Sequence, residues 1–138
     1  MKIARDIMHE GVTCVYVHNT ATEAAQMMAE LNVGALPICG TDEKLKGMVT
    51  DRDLVLSVMA KGENPDAFTM KELASKKLYY VTYDQTSDTV LSTMMEHQIK
   101  RIPVIENEEL TGIITLADVA LELTDDRMGE LVEALSQN

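Results

Sequence analysis

Apolar and polar positions change period several times along the first half of the chain, and each change marks an element. Val12 to Val17 is a short β-prone run. Ala24, Met27, Met28 and Leu31 then fall at i, i+3, i+4 and i+7, the single apolar stripe of a helix, with Thr20 and Glu23 at capping-box spacing marking its start. Leu36 to Cys39 predicts a strand, Gly40 to Lys44 a turn, Leu45 to Thr50 a returning strand and Asp51 to Ala60 a second helix. The succession recurs as strand Leu78 to Thr82, helix Thr86 to His97, strand Ile102 to Ile105, turn Glu106 to Glu109, strand Leu110 to Thr115 and helix Leu116 to Leu123. The order is β-α-β-β-α, twice, which places the chain in the mixed α/β (α+β) class. A last amphipathic stretch, Asp125 to Leu135, predicts a helix suited to covering an interface.

The recurrence is also a repeat of sequence. Val33-Gly34-Ala35-Leu36-Pro37-Ile38 returns as Ile99-Lys100-Arg101-Ile102-Pro103-Val104, 66 residues later. Leu45-Lys46-Gly47-Met48-Val49-Thr50-Asp51-Arg52-Asp53 returns as Leu110-Thr111-Gly112-Ile113-Ile114-Thr115-Leu116-Ala117-Asp118 at 65, so the second turn is one residue shorter. Upstream, Arg5-Asp6-Ile7-Met8 faces Lys71-Glu72-Leu73-Ala74. The expected organisation is repeat one over 5–62, a polar linker over 63–70, repeat two over 71–124 and a C-terminal helix or tail over 125–138. A unit of this size is marginal alone, so the two copies are expected to bury faces against each other.

The chain has 138 residues, 46% apolar and 25% charged, which excludes disorder, collagen and coiled coil. With 12 basic and 23 acidic residues the formal net charge is −11, which would repel a phosphate backbone or an anionic bilayer. Nucleic-acid and membrane partners are therefore not expected. Met1-Lys2-Ile3-Ala4-Arg5-Asp6 carries charge where a secretion signal needs an apolar run, and the expected location is cytoplasmic.

The strongest local signal is Gly-apolar-apolar-Thr-x-x-Asp, present at Gly47 to Asp53 and at Gly112 to Asp118, where a strand ends at the first turn of a helix. Free backbone N–H groups there would suit an anion, and a carboxylate three residues after the Thr can accept from vicinal hydroxyls such as those of ribose. The same residues also read as plain helix caps, Thr50 and Thr115 with an acidic residue at N3, worth about 1 kcal/mol each.

Paired β-α-β-β-α repeats with a Pro-containing strand followed by this motif resemble the cystathionine-β-synthase (CBS) domain family over nearly the whole chain. The resemblance is strongest to short stand-alone bacterial CBS pairs of the hypoxic response type, through Ala4-Arg5-Asp6-Ile7-Met8, Gly11-Val12-Thr13-Cys14-Val15, Gly34-Ala35-Leu36-Pro37-Ile38-Cys39-Gly40, Thr50-Asp51-Arg52-Asp53 and Glu96-His97-Gln98. It implies two repeats packed about a pseudo-two-fold axis, a homodimer, and up to two clefts per pair that take adenosyl ligands. One cleft would join Met48, Thr50, Arg52 and Asp53 to Tyr79, Tyr80, Lys100 and Arg101, with Asp53 on ribose, the two cations on phosphate and a tyrosine on adenine. The other would join Ile113, Thr115 and Asp118 to Thr13, Cys14, Gly34 and Ala35, with no cation for phosphate, and is expected to be empty or suited to a neutral adenosyl group. Lys100 and Arg101 read equally well as a solvated basic pair.

Cys14 and Cys39 lie in two strands of repeat one, and if those strands pair in register the thiols come within disulfide reach. Such a bond would staple the repeat and narrow the second cleft, although a cytosolic setting favours two buried free thiols. His9, His18 and His97 are scattered without metal-ligand spacing, so no metal is expected. Ser57, Ser75, Ser87, Ser92 and Ser136 stand in no nucleophile elbow, and no catalytic residue is assigned. Met27, Met28, Met94 and Met95 read as core or dimer packing. The function expected is a non-catalytic regulatory module that senses AMP, ADP, ATP, NAD or S-adenosylmethionine, requires no cofactor and signals through its dimer or an effector protein. The alternative is a ligand-free structural or stress-response dimer linked to redox state through Cys14 and Cys39.

Overall fold

The structure, a computed structural model, describes residues 2–74 and 78–136. They form two compact units whose boundaries do not follow the sequence repeat. One contains the described residues of Thr13–Leu78, the other those of Met1–Val12 and Tyr79–Asn138.

In the unit built on repeat one, β1 (Val15–Tyr16) runs parallel to β2 (Ala35–Cys39), which pairs antiparallel with β3 (Leu45–Thr50). Of the six-residue run expected as a first strand, only two residues join the sheet. Between β1 and β2 lies α2 (Ala21–Leu31), opened by the expected capping box: Glu23 N donates to Thr20 Oγ1 and Thr20 N to Glu23 Oε1. It ends at Asn32, which takes the left-handed conformation. Ala21, Ala24 and Met28 are buried with Met27 against them, but Leu31 is 46% exposed. Leu31 lies within the angular stripe, so its exposure comes from its place at the helix end. The helix after β3 is α-helical only over α3 (Asp51–Leu54) and continues as a π-helical turn, Val55–Met59. The stretch expected as a polar linker contributes Phe68 and Met70 to the same core as Val15, Ile38 and Val49, and α4 (Lys71–Ala74) adds Leu73. Backbone bonds from Ala21 N to Phe68 O and from Met70 N to Asn19 O hold it there.

The other unit repeats the plan with β4 (Val81–Thr82), α5 (Ser87–His97), β5 (Arg101–Glu106) and β6 (Glu109–Thr115) in the order β4-β5-β6. Both sheets carry a register shift at the same repeat position, Ile38/Cys39 and Val104/Ile105. The one-residue shortening is at the β5–β6 hairpin, where Asn107 and Glu108 both have positive φ, as a two-residue turn of the primed type demands. Val90, Leu91, Met94, Ile102, Val104 and Ile114 form the core, joined by Val119 of α6 (Leu116–Ala120) and Leu131 of α7 (Asp125–Leu135). The N-terminal segment completes this unit: α1 (Ala4–Ile7) buries Ala4 in its core.

Candidate functional site

In repeat one, β3 delivers Thr50 to the start of α3, and the motif closes on itself. Asp53 N donates to Thr50 Oγ1 at 3.0 Å while Thr50 N donates to Asp53 Oδ2 at 2.9 Å. Asp51 N donates to the carbonyl of Gly34 at 2.9 Å and Arg52 N to Asp51 Oδ1 at 2.8 Å. All three amides of the first turn thus have acceptors within the unit. This corrects the expectation that free N–H groups would hold an anion: the Gly34 carbonyl, the Asp51 carboxylate and the Thr50 hydroxyl use those donors up. What the junction presents is the Thr50–Asp53 pair. Ala35 is the cross-strand partner of Thr50 and the Gly34 carbonyl accepts from Asp51, so Gly34 and Ala35 flank the junction, and Met48 stands opposite Pro37.

The repeat-two junction is built alike. Thr115 N donates to Asp118 Oδ2 at 2.8 Å, Asp118 N donates back to Thr115 Oγ1 at 3.3 Å, and Leu116 N donates to the carbonyl of Lys100 at 2.8 Å. Arg101 is the partner of Thr115 as Ala35 is of Thr50. Here, however, the N-terminal segment lies on the junction. His9 Nε2 donates to Asp118 Oδ1 at 2.8 Å, and His9 and Ile113 exchange backbone hydrogen bonds in both directions, at 2.9 and 3.1 Å. Burial works to raise the Asp118 carboxyl, but donation from Thr115 amide and hydroxyl and from His9 holds it below its ordinary value.

The two expected ligand sets each draw on both units. Within a unit the structure brings together Gly34, Ala35, Thr50 and Asp53, and separately Lys100, Arg101, Ile113, Thr115 and Asp118. Lys100 and Arg101 are exposed, as are Arg52 and Thr13. Tyr79 stacks on His97, ring centroids 3.6 Å apart and planes 18° from parallel, while Tyr80 is 52% exposed. Cys14 and Cys39 are joined by a disulfide, with Cα atoms 5.9 Å apart. Ser75 lies outside the described residues.

His9 and His97, which show no ligand spacing in the sequence, each have a specific partner. The sequence held one sign of this for His9. At the offset of 66 that aligns Met8 with Ala74, the next position is His9 in one copy and Ser75 in the other.

The CBS domain family profile matches residues 4–60 and 70–125. Hypoxic response protein 1 of Mycobacterium tuberculosis is 47% identical over 135 residues, covering 98% of this chain and 94% of that protein. A crystal structure of Hypoxic Response Protein I with two coordinated zinc ions superposes with a TM-score of 0.83 at 50% identity, over 89% of this chain and 100% of that one. A hexameric CBS-CP12 protein from bloom-forming cyanobacteria superposes with a TM-score of 0.76 at 27% identity, over 88% of this chain and 71% of that one. No helix among the described residues is long and apolar enough to cross a membrane.

Proposed function

The chain belongs to the CBS domain family, as a tandem pair of the regulatory type, and from that premise we propose that it is a non-catalytic sensor of an adenosyl ligand, an adenine nucleotide foremost. The observation that carries this reading is the duplicated Thr-x-x-Asp junction, which sets one carboxylate beside the residues preceding the Pro strand in each unit. Asp53, whose expected set also holds the two cations, is the carboxylate assigned to ribose. Lys100 and Arg101 are assigned to phosphate and the exposed Tyr80 to the base. Tyr79 is assigned less of the ring contact because His97 lies on it. A ligand that favours one conformation shifts the equilibrium only by its differential affinity for the two states. The readout is self-association or an effector protein in the cytoplasm. Self-association is supported by the hexameric relative and by large apolar side chains left exposed, Met59 at 75% and Leu121 at 86%.

Zinc is not assigned to this chain. Among the described residues no group of three His, Cys, Asp or Glu side chains is placed to hold a metal ion. His9 and Asp118 supply two donors, and both cysteines are in the disulfide.

A second reading is favoured by that disulfide: a ligand-free stress-response protein whose Cys14–Cys39 bond reports redox state. Calorimetric titration of nucleotide-stripped protein with AMP, ADP, ATP and S-adenosylmethionine separates the two. Saturable binding that is lost in both Asp53→Ala and Arg101→Ala is the expected result. No heat from any of the four overturns the nucleotide reading in favour of the redox one.

A further inference from the structure

We propose that Met8 and His9 are an intramolecular stopper on the second repeat, filling the place a ligand would take on Asp118, so that the chain binds one adenosyl ligand and not two. The inference rests on the reading of the Thr-x-x-Asp junction above and assigns its regulation.

Three separate contacts put the segment there. His9 Nε2 occupies Asp118 Oδ1, the carboxylate oxygen that the Thr115 cap leaves over, since the Thr115 amide and hydroxyl both donate to Oδ2. The His9 backbone pairs with Ile113, the residue that follows the motif glycine. Met8 packs over that glycine, and a Cβ on Gly112 would stand 2.6 Å from Met8 Sδ and 2.8 Å from the His9 carbonyl oxygen. Glycine at 112 is therefore what lets the backbone approach.

The segment is held at its root as well as its tip. Ala4 is fully buried, Ala4 N and Arg5 N donate to the carbonyls of Gln85 and Tyr83, and the Arg5 guanidinium lies 4.4 Å from the Tyr83 ring centroid while pairing with Glu106. Only the tip bears on the carboxylate, and there the His9 side chain is 68% exposed. A ligand hydroxyl competes with one surface imidazole, and the fold does not have to open. In repeat one, Ala74 lies over Gly47 as Met8 lies over Gly112.

The test is the number of ATP, AMP or S-adenosylmethionine molecules bound per chain by equilibrium dialysis, for the wild type, His9→Ala and His9→Ala/Asp118→Ala. One in the wild type, two in His9→Ala and one again in the double variant is the expected result. One in all three overturns the stopper and leaves the proposed function standing. None in the wild type and one in His9→Ala supports the stopper and overturns the assignment to Asp53. Two in the wild type, or two in the double variant, overturns the stopper, and none in any of the three overturns both. His9→Gln, which keeps a donor of similar reach, should bind as the wild type does.

Discussion

Met8 lies over Gly112 at a distance that leaves no room for a side chain on residue 112, while the equivalent Gly47 is covered less tightly by Ala74. A Cβ on Gly47 would stand 3.2 Å from Ala74 Cα, against 2.6 Å from Met8 Sδ and 2.8 Å from the His9 carbonyl for one on Gly112. Met8 can swing its thioether aside, but the carbonyl moves only with the backbone. Gly112→Ala should therefore destabilise the protein by about 1–3 kcal/mol through overpacking, and Gly47→Ala by less. Urea unfolding of both variants checks the order, and equal costs would show that the N-terminal segment yields without loss.

The paired capping boxes give a second expectation. Thr50→Ala and Thr115→Ala each remove the acceptor for an N3 amide and should cost about 1 kcal/mol apiece. The corresponding serine variants should restore most of it, because the hydroxyl oxygen is the group used. Chemical denaturation gives the values, and a serine variant as unstable as the alanine one would assign the loss to the threonine methyl.

The lengths of α2, α5 and α7 and the course of the two hairpins could be read from periodicity because each presents a full apolar face and a recognisable cap. Other features could not. β1 and β4 are two residues long because only Val15–Tyr16 and Val81–Thr82 reach a neighbouring strand, although the apolar run in the sequence is longer. Val55–Met59 reads as ordinary helix, and nothing in its composition marks the wider turn. Phe68 and Met70 sit in a stretch of polar and turn residues, and only the fold shows that they close the first core. For the candidate site, Thr50, Asp53, Thr115 and Asp118 were legible from the repeat. The His9 contact left only the mismatch with Ser75 at the equivalent repeat position, which names no partner, since a lone histidine carries no spacing signal.

Stability should depend on pH through carboxylates held low in the fold, Asp118 and Glu23 among them. Asp118 is held low by hydrogen bonds that outweigh its burial, and Glu23 is held low first by the Thr20 backbone N–H it accepts and then by Asn19. A carboxyl depressed on folding stabilises the protein fully above its unfolded pKa, about 4, and that contribution is lost as pH falls through the folded value. Unfolding free energy should thus be level from neutral pH down to roughly pH 5 on account of these groups and drop below about pH 4. Asp118→Asn should flatten the drop, and urea titrations from pH 3 to 7 would show it. A slope unchanged by the substitution would mean that folding does not depress the Asp118 carboxyl.

The last expectation concerns the Cys14–Cys39 bond, which spans 25 residues and ties the chain just before β1 to the end of β2. β1 meets its sheet at two residue pairs, with Val17 N donating to the Cys39 carbonyl and the Tyr16 hydroxyl donating to Glu43 in the β2–β3 turn as further ties. Closing a loop of that size restricts the unfolded chain enough to stabilise the fold by about 3 kcal/mol. Cys39 is 1% exposed and Cys14 is half-buried, so a reducing thiolate reaches the bond at Cys14. Alkylation of unreduced, denatured protein should then add no label, and alkylation after dithiothreitol two labels, by intact mass. Reduction should also lower the urea midpoint, and Cys14→Ser should lower it equally and remove its dependence on reductant. Full labelling of both thiols without reductant, in protein purified under air, would end the redox reading.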